Sequence, residues 1–114
     1  MDSLTPLTII KAMDGLSTRM AATAENIANA GTPGYRPLRV SFEQALASAA
    51  KLGPEAVRAV RPRIEPAPRT GDSADMRLDL EAQTAASTST RYSALVEVLG
   101  REMHLQSLAI TGNP

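Results

Sequence analysis

Apolar residues recur at alternating steps of about three and four near both ends of the chain, and this pattern constrains the fold more than any other feature. Near the N-terminus the pattern comprises Ile9, Met13, Leu16, Met20 and Ile27. Near the C-terminus it comprises Tyr92, Val96, Leu99, Met103 and Ile110. Such spacing is typical of helices that pack along a seam. We therefore predict two long helices, about 5–30 and about 79–110, that pair antiparallel as a coiled-coil-like hairpin.

Residues that commonly cap helices flank both patterns. Thr5 followed by Pro6 is typical of a helix start, with Thr5 at the N-cap and Pro6 at the first helical position. We expect this helix to end near Ala30, with Gly31 as the following left-handed residue. Asp79 is the expected N-cap of the last helix.

The segment between the two patterns is rich in turn residues and prolines. Thr32-Pro33-Gly34-Tyr35 suits a type II turn, because glycine accepts the positive φ of the third position. Residues 36–40 should be extended, since residues before proline avoid the helical region. Ser41 and Gln44 form a possible capping box, which would open a short helix from Phe42 to about residue 51.

The prolines at positions 54, 62, 66 and 68 follow no helical or strand period. We expect an irregular segment over about 54–76, with one short helix near 55–60. The predicted organisation is therefore an all-α chain in three parts: an N-terminal helix within 1–30, a middle segment at 31–78 and a C-terminal helix within 79–114.

The composition indicates that a single copy of the chain buries little apolar surface. The 114 residues include only three aromatic side chains, Tyr35, Phe42 and Tyr92. Aromatic residues supply much of the burial in an ordinary core, and small domains are marginally stable. Two helices also cannot bury their apolar stripes completely against each other. We expect other chains to complete the burial.

Charge and chemistry argue against the common alternatives. The 12 basic and 12 acidic residues balance, and this zero net charge weighs against a nucleic-acid-binding module. A small soluble helical adaptor remains an alternative function. His104 is the only histidine, and Glu102, two positions away, points to another side of a helix. No catalytic, metal-binding or cofactor-binding pattern occurs, so we expect no enzyme and no cofactor. The start of the chain has no secretory signal pattern.

Two asparagines lie in the stretch NIANAGTPGY, at positions 26–35. Asn26 and Asn29 share one helix face, although asparagine is a mediocre helix residue. One interpretation is that Asn29 helps to end the helix and Asn26 faces water. The other is that both amides bond to a neighbouring chain, with Ala28 and Ala30 permitting its close approach.

The same stretch resembles the N-terminal signature of the flagellar axial proteins, which form the rod and hook of bacterial flagella. The matching positions are Asn26, Ala28, Asn29, Thr32, Gly34 and Tyr35. The continuation TPGYRPLRVSFEQAL and the C-terminal stretch LDLEAQTAASTSTRYSALVEVLGREMHLQSLAI are similar to proximal rod proteins of this family. The resemblance covers about residues 1–50 and 76–110.

The resemblance implies a structural subunit of the proximal rod, in the periplasmic part of the flagellar basal body. It implies that many hairpins pack around a central channel, that the segment from Asn26 to Tyr35, including Pro33, is an assembly joint, and that Phe42 anchors the outer segment. The implied partners are copies of the chain, other rod proteins, the inner-ring adaptor protein FliE and the flagellar export gate. Export would proceed through the type III apparatus, without a cleavable signal peptide.

Overall fold

A computed structural model of the protein describes residues 3–68 and 78–112. Its elements, in chain order, are α1 (Leu4–Ala28), β1 (Leu38–Ser41), α2 (Glu43–Ala50), α3 (Pro54–Ala59), β2 (Arg63–Pro66) and α4 (Leu78–Thr111). Within the described residues, no helix combines the length and the apolar character needed to cross a membrane.

The two long helices pack together as an antiparallel hairpin. Asn26, near the end of α1, is hydrogen-bonded to Glu81, near the start of α4. Further along, Met20 and Thr88 line one groove between the helices. The 25 residues of α1 and the 34 residues of α4 correspond to lengths of roughly 37 and 51 Å. The molecule is accordingly elongated, at 62 × 26 × 14 Å, and the predicted helix pairing is confirmed.

The fold is mostly helical, as predicted, but it is not strictly all-α, because the middle segment contains a two-stranded antiparallel sheet. β1 pairs with β2, with Leu38 opposite Pro66 and Ser41 opposite Arg63. Residues 36–40 were expected to be extended, but their partner lies in the proline-rich segment that was expected to be irregular. A two-stranded sheet has only edge strands, and edge strands tolerate proline. The expected short helix near 55–60 is confirmed as α3; residues 69–76 of the expected irregular segment lie outside the described residues.

The limits of α1 differ from those predicted. Ser3 occupies the N-cap position, so that the helix begins before Thr5 and Pro6. At the other end Asn29 is the C-cap. Gly31 does not have a positive φ and is not the expected left-handed residue. The side chain of Asn29 ends the helix instead, as described below.

The starts of α2 and α4 also differ from those predicted. Ser41 is the last residue of β1, so it forms no capping box with Gln44. Phe42 occupies the N-cap position of α2, with a φ of −160° and no side-chain hydrogen bond to the helix. Asp79 lies inside the first turn of α4, where the negative charge of an acidic side chain interacts favourably with the helix dipole.

The hydrophobic core lies between α1 and the middle segment. Its buried members are Leu16, Ala22, Val40, Phe42, Leu46, Ala49 and Val57. The ring of Phe42 rests directly on Gly15, where an added Cβ would lie 2.5 Å from the ring carbon Cγ. Glycine in a helix interior is unfavourable by roughly 1 kcal/mol relative to alanine. At position 15 it provides the space for the only phenylalanine of the chain.

The α1 half of the predicted seam is largely turned inward. Ile9 and Leu16 are buried, and Met13 and Met20 are half-buried. Ile27 is exposed. The spacing on α1 therefore identified two of the six residues that this helix buries, and it missed Gly15, Ala22, Thr23 and Asn26.

The α4 half of the predicted seam is rotated away from α1. Val96 is 48% exposed, Met103 is 55% exposed and Ile110 is 70% exposed. Tyr92 is less exposed, at 37%. The inward residues are instead Glu81, Thr88, Leu95 and Leu99, of which only Leu99 was predicted to face α1. The polar contact of Glu81 with Asn26 sets the rotation of α4, and apolar periodicity does not report such a contact. The role of the rotated residues in packing between subunits stays a prediction.

Candidate assembly joint at the end of the first helix

Asn26 is the centre of a buried polar network at the end of α1. Its side chain is completely inaccessible to solvent. The amide nitrogen Nδ2 donates to the Leu38 carbonyl and to Glu81 Oε2, both at 3.0 Å. The amide oxygen Oδ1 accepts hydrogen bonds from the Leu38 N–H and the Tyr35 hydroxyl, both at 2.8 Å. An asparagine amide offers two donors and about two acceptor sites, so its capacity is used completely.

This arrangement excludes both interpretations of Asn26. Water does not reach the side chain, and its donors and acceptors are used within the chain. The expectation that it bonds to a neighbouring chain is therefore wrong, and so is the expectation that it faces water. By bonding both the N–H and the carbonyl of Leu38, the amide acts as a strand partner for the first residue of β1.

Glu81 connects the network to α4. Its carboxylate is 2% exposed; Oε2 accepts from Asn26, and Oε1 accepts from Arg39 Nη1 at 2.7 Å. A buried carboxylate is tolerated only when it is paired and hydrogen-bonded, and both conditions hold for Glu81. Because 55 positions separate Glu81 from Asn26, no local sequence pattern indicated that these side chains meet.

Asn29 acts locally, at the helix end. Its Nδ2 donates to the Glu25 carbonyl at 3.0 Å, and its Oδ1 accepts from the Thr32 hydroxyl at 3.1 Å. The Thr32 N–H donates to the Asn29 carbonyl at 2.9 Å. These bonds satisfy groups that the end of the helix leaves open. The interpretation that Asn29 helps to end the helix is confirmed.

The following turn directs the chain back toward the hairpin. Gly34 has a φ of 77°, and the Tyr35 N–H donates to the Thr32 carbonyl at 3.1 Å. Both features agree with the predicted type II turn. The turn brings the Tyr35 hydroxyl onto Asn26. Burial raises the pKa of the Tyr35 phenol, and the carboxylates of Glu25 and Glu81 raise it further.

The predicted joint therefore has an inner and an outer side. Asn26 and Tyr35 point inward and hold the fold together. The remaining motif residues Ala28, Thr32, Pro33 and Gly34 are exposed, while Asn29 is half-buried. The outer residues, and the exposed part of the half-buried Tyr35, are available to another molecule.

A second polar clamp, around Arg19, holds the start of α2 against α1. Both terminal nitrogens of Arg19 donate to the Glu43 carboxylate at 2.8 Å, and Nη2 also donates to the Val40 carbonyl at 2.7 Å. The guanidinium lies over the Phe42 ring, 5.0 Å from its centre. Hydrogen bonding from Arg19 lowers the pKa of Glu43 to about 2. No sequence pattern indicated the contact between Arg19 and Glu43, since their pairing depends on how β1 returns to the helix.

The surroundings of these clamps show which chemistry they can support. A groove of about 600 Å³ between β1 and α4 has both basic and acidic side chains in its lining: Arg19, Arg39, Arg91, Glu43 and Glu81. Among residues 3–68 and 78–112, no three histidine, aspartate or glutamate side chains are grouped closely enough to hold a metal ion. The charged groups act on one another and on backbone groups of the chain, and their effect is to position the elements.

A protein-family model matches the region of α1 and the predicted joint. Residues 7–36 match the family model described as "Flagella basal body rod protein". The matched segment includes most of α1 and every residue of the predicted joint. No curated protein matches the chain. The match supports the flagellar basal body rod family and a structural rod subunit.

Proposed function

We propose that the chain is a structural subunit of the proximal rod of a bacterial flagellar basal body. The α1–α4 hairpin is its packing unit, and the network around Asn26 is the joint between the hairpin and the middle segment. The observation that carries this proposal is the family match over residues 7–36, because it coincides with α1 and the joint.

Several structural features suit a subunit that assembles with other chains. The joint ties α1, β1 and α4 together through side chains that are satisfied within the chain, so the outward residues are presented at a defined angle. The hairpin is long and narrow, and α4 leaves several large apolar side chains exposed. Contiguous apolar surface of this kind often marks a site of contact with another protein. The proposed role is assembly, without catalysis.

Within the rod, we assign the chain to the position of FlgB; the alternative is another proximal rod protein such as FlgC. The similarity of the segment after Tyr35 and of the C-terminal helix to FlgB supports this choice. The proposed partners are copies of the chain, other rod proteins, FliE and the export gate. The proposed route is type III export to the periplasmic rod, without a cleavable signal peptide.

The test is genetic complementation in the source bacterium. Deletion of the gene should abolish motility, and a tagged copy of the wild-type chain should restore it and be recovered in purified basal bodies. Complementation of strains that lack each proximal rod protein, one at a time, would identify the member. Full motility of the deletion strain, or absence of the tagged chain from basal bodies, would contradict the proposal.

A further inference from the structure

One broad side of the hairpin is not covered by the described part of the middle segment, residues 31–68. The core and clamp residues Gly15, Arg19, Ala22 and Asn26 all lie on one side of α1. On the other side, about half a helical turn away, lies an exposed stripe with steps of three and four. The stripe comprises Ile10, Asp14, Ser17, Ala21 and Ala24. Together with the adjoining surface of α4, this stripe forms what we term the bare face.

The bare face contains a groove that fits an apolar side chain. Ser17 and Met20 of α1 and Ser89, Tyr92 and Ser93 of α4 line a cavity of about 230 Å³. Beyond it along α4 lie the exposed side chains of Val96 and Met103. Gly100 is in the same region, and a Cβ added there would meet no atom within 4 Å.

A second apolar stripe runs along a different side of α4, and we term it the outer edge. Its residues follow steps of four and three: Ala94, Val98, Arg101, Leu105 and Leu108. Val98 and Leu105 are 42% and 55% exposed. At about 100° per residue, the outer edge and the bare face lie on nearly opposite sides of α4. One copy can therefore use both surfaces at the same time.

Each surface carries a charged side chain that has no partner. Within residues 3–68 and 78–112, the side chains of Asp14 and Arg101 form no ion pair and no hydrogen bond. Glu97 and Arg101, whose spacing of four positions permits an ion pair on a helix, also form no ion pair among the described residues. Asp14 lies on the rim of the bare face, and Arg101 lies in the middle of the outer edge. Asp14 and Arg101 carry opposite charges, one on each surface, and opposite charges favour contact between the two surfaces.

We propose that the bare face of one copy receives the outer edge of a second copy, with Arg101 of the second copy beside Asp14. We orient the two α4 helices parallel, since subunits of a tube share one direction, and in this respect the inference rests on the proposed function.

The proposed pairing determines a register. Because Met20 lies near Thr88 across the antiparallel hairpin, Asp14 is at the height of about residue 93 of α4. Val98 of the second copy then enters the groove near Ser89. Leu105 of the second copy lies beside Val96 and Gly100, where the missing side chain permits close approach. The contact joins two different surfaces, so it repeats from copy to copy and leads to an open array.

The chain contains no cysteine, so introduced cysteines report this contact directly. A Val98→Cys chain mixed with a Ser89→Cys chain at high concentration should form a disulfide-linked heterodimer, and neither variant alone should form a homodimer. A disulfide needs Cβ atoms within about 4.5 Å, so Val98→Cys with Met103→Cys should yield roughly tenfold less. Homodimers of Ser89→Cys alone, no heterodimer, or a better yield with Met103→Cys would each overturn the proposal.

A charge exchange tests the pairing independently. Asp14→Arg should weaken the association measured by sedimentation about two- to fivefold, as expected for an ion pair at an interface rim. Adding Arg101→Asp to that variant should restore the association, whereas failure to restore it would overturn the pairing. If the wild-type chain enters basal bodies but the two cysteine variants form no heterodimer, the docking fails and the proposed function stands. If the heterodimer forms but the chain is absent from basal bodies, the proposed function fails.

Discussion

Asn26 Nδ2 lies 3.0 Å from Glu81 Oε2, and this hydrogen bond joins two buried side chains on the two helices of the hairpin. The same amide holds β1 and Tyr35. A single side chain therefore sets the positions of three parts of the fold. A family signature residue that had suggested an intermolecular contact has, in this chain, an intramolecular task.

Replacing Asn26 with alanine should lower the free energy of unfolding by about 2–4 kcal/mol. The substitution leaves the Leu38 N–H, the Tyr35 hydroxyl and one Glu81 oxygen without their partner, and each unsatisfied buried group costs about 1–3 kcal/mol. Urea denaturation followed by circular dichroism measures the loss. Asn29→Ala is the control, because that side chain is partly exposed and should lose less than about 1 kcal/mol. Equal losses for the two variants would contradict the central role of Asn26.

Two glycines on the long helices should respond oppositely to alanine. Gly15→Ala should destabilise the fold by about 1–3 kcal/mol, because the new methyl group overlaps the Phe42 ring. Gly100→Ala should stabilise the isolated chain by about 0.5–1 kcal/mol, since helix propensity improves and the position is open. Thermal unfolding of the two variants measures both effects. Combining Gly15→Ala with Phe42→Leu should recover part of the loss; a stabilising Gly15→Ala would refute the proposed packing.

Gly34 should be the more sensitive glycine of the turn. Its φ of 77° is unfavourable for residues with a Cβ, so Gly34→Ala should cost about 1–2 kcal/mol. Gly31→Ala is the matched control, because Gly31 has no positive φ and a Cβ there meets nothing within 4 Å. If the proposed function holds, Gly34→Val should also reduce incorporation into basal bodies while secretion continues. Equal sensitivity of the two positions would show that the turn geometry does not matter.

The Arg19–Glu43 pair should make stability depend on acid pH. The pKa of Glu43 is about 2 in the fold, against 4.5 as the ordinary value. The pair therefore contributes fully above about pH 4.5, and its contribution is lost as the pH falls toward 2. Because half of the Glu43 side chain is exposed, we expect a change of no more than about 1 kcal/mol. Urea titrations at pH 6 and pH 3 should show a smaller loss for Glu43→Gln than for the wild type; identical losses would exclude this pair as the cause.

The helices illustrate how far periodicity reaches. On α1, the spacing of Ile9, Met13, Leu16 and Met20 identified a face that is largely turned inward. On α4, apolar residues occur on several sides, so the spacing is compatible with more than one rotation. The prediction selected Tyr92, Val96, Leu99, Met103 and Ile110. Of these, the fold turns only Leu99 toward α1, together with Thr88 and Leu95.

The sequence by itself determined the two long helices, their antiparallel pairing, the extended residues after Tyr35 and the turn at Gly34. These features depend on periodicity, on glycine and proline geometry and on helix length, all of which act over a few residues. Only the tertiary structure decided the pairing of β1 with β2, the place of Phe42 on Gly15 and the inward direction of Asn26. Each of these depends on groups from distant parts of the chain that meet at hydrogen-bonding or van der Waals distance. A local sequence pattern does not indicate which distant groups meet. The family signature likewise identifies residues but not the partner of each residue.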